Sequence, residues 1–196
     1  MKYTIAIIFM FLCNAYGYSQ TYETVARFSD EVNGSFVSDY TGDSDTPGYG
    51  GDAGWFNLSG YSGGIENNVN IDAVAGGGGG AGKASFRAIT LNNIILDEIY
   101  TRLKIRMVNQ ESYDRLEIVR ICTSCSGHNG EPELTMDIRL AFLSNIDLVN
   151  PIEFTTTIRY GAMKRSYRPS KIDGTLDSPV DFLWSEVENT PTLDVE

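Results

Sequence analysis

The chain is poor in base. Against 26 acidic residues it carries 15 Lys and Arg and a single histidine, for a formal charge of -11. That balance excludes nucleic-acid binding, which needs a basic footprint, and leaves room for a cation as partner. Cysteine is scarce, with three residues, and no stretch beyond the N-terminus approaches the roughly 20 apolar residues that a membrane span needs. No apolar pattern of helical period runs the length of an ordinary helix; residues 91–98 could make one or two turns, weakened by Asn92 and Asn93. With one histidine, His128, in turn sequence and no Asp beside it, a serine triad and a His/Tyr lyase site have no base to use.

What is present begins with an export signal. Lys2 precedes an uninterrupted apolar run over residues 5–12, followed by small residues at peptidase spacing, Ala15 with Gly17 or Gly17 with Ser19. Residues 1–19 are therefore expected to be a cleaved signal peptide, placing residues 20–196 outside the cytoplasm, secreted or periplasmic, as one domain. Leu12 argues against a lipid anchor on Cys13, because lipoprotein processing wants a small residue there. The remaining pair, Cys122 and Cys125, then faces an oxidising space. The following Ser126-Gly127-His128-Asn129-Gly130 is turn sequence rather than helix, and three soft ligands fall short of a zinc set, so a local disulfide pinning a hairpin turn is expected.

The expected mature chain falls into two halves. Between Arg27 and Lys83 there is no basic residue, and most of the 20 glycines lie between Gly34 and Gly82, which reads as turns and short strands with a loop at residues 76–80. From Lys83 onward the pattern is alternation: residues 103–107, 134–142 and 154–160 place apolar and polar side chains on opposite faces, with further strands expected at 84–89 and 116–121 and weaker ones at 35–38, 69–74 and 181–184. Half-buried alternation belongs to antiparallel sheets. The expected fold is all-β, a two-sheet antiparallel β-sandwich or jelly roll.

The order of Phe28-Ser29-Asp30, Gly34-Ser35-Phe36, Gly54-Trp55, the glycine-rich loop into residues 82–87, and Ile99-Tyr100-Thr101-Arg102-Leu103-Lys104-Ile105-Arg106 resembles secreted bacterial jelly-roll modules of the concanavalin-A-like, laminin-G-like type, over roughly Phe28 to Val119. The resemblance implies a non-catalytic carbohydrate-binding module, lectin-like, with a polysaccharide or cell-surface glycan as partner and often a calcium ion.

Three constellations fit that expectation, each beside a plainer alternative. Asp43, Asp45 and Asp52 sit on a glycine-containing loop able to supply some of the about six to eight oxygens that Ca2+ takes; the alternative is a solvated acidic turn. Tyr49, Trp55 and Tyr61 offer flat rings on which a sugar could stack, or are core and loop anchors. Arg102, Lys104 and Arg106, two residues apart, would line one strand face and grip an anionic polysaccharide, or form a solvated face paired with Asp137, Glu117 and Glu153. Glu111, Asp114 and Glu117 fall in steps of three, so one strand face cannot carry all of them, which argues against a glycosidase motif. Two other functions stay open: a structural or adhesion protein of the cell surface or matrix, and a polysaccharide-degrading enzyme of the same fold.

Overall fold

The computed structural model describes residues 20–50, 53–67 and 84–195. The expected leader at 1–19 with Cys13, Asp52, the expected strand at 69–74 and the glycine run at 76–80 lie outside the described residues. Among the described residues, ten strands and one helix follow in the order β1 (Tyr22–Val32), β2 (Ser35–Val37), β3 (Phe56–Leu58), β4 (Gly60–Asn67), β5 (Ala84–Ile95), α1 (Glu98–Asn109), β6 (Ser112–Cys122), β7 (Pro132–Asn150), β8 (Glu153–Arg159), β9 (Ala162–Tyr167) and β10 (Val180–Ser185). The fold is mostly β and antiparallel, as the alternation required.

Instead of two separate sheets, the strands form one, with β2, β1, β6, β7, β8, β5 and β4 in hydrogen-bonded succession. β3 pairs with β1 on the edge opposite β6, Thr24 facing Leu58 and Ala26 facing Phe56, and runs through Ser59 into β4. The pairings, together with the chain junction at Ser59 between β3 and β4, therefore close a circuit from β1 through β6, β7, β8, β5 and β4 and back through β3 to β1. This ring replaces the expected sandwich. Alternating side chains turned inward meet across it: Phe28, Ile89, Leu91, Leu116, Ile118, Met136, Ile138, Phe154 and Ile158 share one buried cluster. Phe28 lies between the rings of Phe56 at 6.1 Å and Tyr113 at 4.9 Å.

Two local features shape the ring. Asn33 and Gly34, both at positive φ, turn β1 into β2 in two residues, the geometry that matches strand twist. β7 is 19 residues long and changes partner midway: residues 134–139 pair with β9, and residues 142–150 with β8. At the change Leu140 adopts φ 54°, an uncommon conformation for a bulky residue, and the Gly161 amide donates to the Arg139 carbonyl at 3.0 Å. β8 and β9 are thus one return path, broken where β7 bends.

The helix corrects the expectation of a strand over 103–107. Asp97 caps it, its carboxylate accepting from the Ile99 amide at 2.8 Å, and Gln110 ends it at φ 60°. Glu98 pairs with Arg102 one turn on, at 3.1 Å. Ile99 and Leu103, four residues apart, enter the core, whereas Ile105 and Val108 face outward. No helix among the described residues is long and apolar enough to cross a membrane.

Candidate assembly surface

The residues singled out from the sequence do not converge. Trp55 is only 8 % exposed and packs with Val25, Val119 and Ile121 in a small second cluster. Tyr49 meets it edge-on at 4.9 Å, and the Arg27 guanidinium covers its ring at 4.9 Å. Trp55 is core, with no open ring face to present. Tyr61 belongs to the main cluster instead, beside a pocket of about 380 Å³ lined among others by Ile89, Met136, Met163, Arg165 and Phe182. Burial there raises its hydroxyl pKa.

The basic stripe does not exist as a strand face, because its residues wind around α1. Arg102 pairs with Glu98, and the Lys104 ammonium sits 5.0 Å from the centre of the Tyr100 ring. Arg106 turns inward: it pairs with Asp30, donates to the Ser112 carbonyl at 3.2 Å and lies 4.4 Å over the Tyr113 ring, clamping the helix to β1 and β6. Asp45 accepts from the Asn57 side-chain amide at 2.9 Å. Asp43 is held above its usual carboxylate range by burial, with Asp45 adding repulsion. Among the described residues the two join no third potential ligand in a cluster.

The outer face of the ring on β1, β6 and β7 carries interlocked charge. Arg27 pairs with Glu117, Glu117 with Arg115 at 3.0 Å, Arg115 with Asp137 at 2.7 Å, and Asp137 with Arg139 at 3.0 Å. Phe36 of β2 lies under both Arg115 and Arg139, at 4.8 and 4.6 Å. With each arginine paired to a carboxylate and the Phe36 ring covered, this face is engaged within the protein.

The far half of β7 is different. Beyond Phe142 the alternation of burial stops. At the turn into β8, Leu148 is 58 % exposed, Val149 52 % and Ile152 68 %. The Leu96 amide donates to the Ile152 carbonyl at 2.8 Å, which brings the exposed Ile95 and Leu96 at the end of β5 beside them. Exposed aliphatic side chains gathered at a strand tip mark a contact surface. β10 adds an edge that among the described strands pairs with β9 and is bridged otherwise only at Ser185, to Thr190; it carries the exposed Val180 and Phe182, and such an edge can accept a further strand. The sequence held a signal for the tip: Leu148-Val149-Asn150-Pro151-Ile152 breaks the alternation with an apolar run around a proline turn.

At the other end of β6 the structure joins Cys122 to Cys125, with Cα atoms 5.6 Å apart, in the turn that leads to β7.

No protein-family model matches the chain, and no curated protein sequence matches it. Solved structures do. A type six secretion system protein is 15 % identical with a TM-score of 0.69, over 87 % of this chain and 99 % of its own. Hcp1 from Salmonella typhimurium is 10 % identical with a TM-score of 0.56, over 86 % and 97 %. The secreted protein Hcp3 from Pseudomonas aeruginosa is 12 % identical with a TM-score of 0.52, over 82 % and 99 %. These likenesses overturn the resemblance to concanavalin-A-like modules, and with it the carbohydrate-binding, lectin-like and calcium-holding expectations, the polysaccharide or glycan partner, and the adhesion and polysaccharide-degrading alternatives. Aromatics, an acidic turn and a tryptophan in a given order are compatible with any antiparallel ring; the connection of the strands is what separates them. The chain shares its fold with these three proteins.

Proposed function

We propose that the chain is a non-enzymatic, self-assembling structural subunit of an exported apparatus of the type VI secretion class, acting outside the cytoplasm. The observation that carries this reading is the full-length correspondence: the described fold spans 99 % of a type six secretion system protein, so the likeness extends to the whole neighbour and not to one module of it. The surface agrees. The aliphatic tip at Leu148, Val149 and Ile152 and the edge of β10 are regions that a second copy of the same chain can cover, and closed rings or open stacks follow when such contacts repeat around a symmetry axis. The N-terminal apolar segment and the secreted neighbour support a site of action beyond the inner membrane.

The test is the association state of residues 20–196. Light scattering on a sizing column, with negative-stain microscopy, should show a discrete ring-sized oligomer or stacks of it, growing with concentration. A chain that stays monomeric up to its solubility limit overturns the proposal.

A further inference from the structure

The turn between β6 and β7 does more than close a small loop. Cys122, Cys125 and His128 each offer one ligand atom, and these atoms lie within 4.8 Å of one another, the one such cluster among the described residues. All three are buried: Cys122 completely, Cys125 at 4 % and His128 at 2 % exposure. The histidine is also set up electronically. Its Nδ1 lies 2.5 Å from the Gly174 carbonyl oxygen. A carbonyl only accepts, so Nδ1 holds the proton and donates it, and the neutral ring carries its lone pair on Nε2. That Nε2 is buried and meets no partner. A backbone carbonyl fixing the tautomer from behind is the arrangement that prepares imidazole to bind a metal.

The frame around these groups does not depend on the sulfur–sulfur bond. Gly130 donates to the Cys122 carbonyl at 2.9 Å, and Thr123 to the Thr21 carbonyl at 2.9 Å. Two glycines at positive φ, Gly127 and Gly174, let the turn press backbone to backbone against residues 170–176; a Cβ on Gly174 would stand 2.3 Å from the Ser126 carbonyl oxygen. The ring of His128 is thereby placed by contacts that survive reduction.

We infer that this turn is a redox-gated site for a soft d10 cation, copper(I), bound by Cys122, Cys125 and His128 once the disulfide is opened. Two thiolates and one imidazole complete a trigonal copper(I) shell, whereas zinc prefers a fourth donor, and the cluster holds three. The balance is simple. A dithiol gives up two electrons and two protons and closes to its own disulfide; the Cys122–Cys125 bond breaks to two thiols. Copper(I) then displaces the two thiol protons, which leave to solvent. The proposal stands apart from the assembly reading, since the turn lies at the opposite end of β6–β7 from the bend into the aliphatic tip.

The experiment titrates copper(I) anaerobically into residues 20–196, oxidised or reduced with a phosphine, against the chromogenic chelator bicinchoninate, with thiol content and circular dichroism checked in parallel. The reduced chain should take one equivalent from the chelator and the oxidised chain none. His128→Gln should weaken the reduced site by about tenfold or more, and Cys125→Ser should remove competition altogether. Where reduction unfolds the chain, one equivalent of copper(I) should restore the native spectrum, because a metal that binds only the folded form stabilises it. Equal copper uptake by His128→Gln, no uptake by the folded reduced chain, or no recovery of an unfolded one would each overturn the inference.

Discussion

The two halves of β7 make the same kind of backbone ladder and meet opposite fates. From Leu134 to Ile138 every second side chain is buried, between β6 on one edge and β9 on the other. From Leu143 onward the strand still pairs, with β8, yet its side chains are mostly exposed and aliphatic at the end. Pairing is thus satisfied in both halves, and only burial distinguishes them. The first half belongs to the stability of the ring; the second touches the core only through Leu143 and Ile146, and its exposed end is free to meet something from outside.

Substitution can break that comparison. Ile138→Ala removes a fully buried side chain at the centre of the ring and should cost about 2–5 kcal/mol, read as a lower midpoint in urea unfolding. Leu148→Asp combined with Ile152→Asp should leave the midpoint within about 0.5 kcal/mol of the parent and abolish association on the sizing column; a double variant that still assembles would remove the tip from the interface. Asp97→Ala, loosening the start of α1, should cost about 1 kcal/mol and lower helical content with no effect on assembly.

The smallest effect is confined to alkaline solution. Burial first, and Glu186 second, push the Tyr160 hydroxyl up to about 12 from 10.0. The neutral form is the one the fold keeps. Its contribution is therefore whole below pH 10, where the unfolded chain is also protonated, and fades as pH rises from 10 toward 12, where only the unfolded chain ionises. Tyr160→Phe should flatten the loss of stability over that window and change little at neutral pH; an unchanged alkaline slope would mean that other groups govern it.

The antiparallel β character and several strands of the ring are legible in the sequence, but its closure is not. β6, β8 and the first half of β7 announce themselves because each buries one face, so period two is enforced side chain by side chain. The helix was hidden because Leu103-Lys104-Ile105-Arg106-Met107 alternates by coincidence: Leu103 is buried by its helical spacing from Ile99, while Ile105 is half exposed. The signals that decide it, the Asp97 cap and the Glu98–Arg102 pair, lie outside the alternating stretch. The rings of Trp55 and Tyr49 read as a platform because sequence gives residue type without saying what covers it; Arg27, from a strand 28 residues earlier in the chain, does the covering. The tip is hidden for the complementary reason: an aliphatic run gives residue type without saying whether a core lies against it.

The closure of the ring rests on its slightest member. β3 joins β1 through three residue pairs, against the eight that join β1 to β6. A hoop yields first at its thinnest stave, so the amides of Phe56 to Leu58 should trade hydrogen for deuterium ahead of those in β6, and any excursion that lets the interior breathe should pass through that joint before it reaches any other.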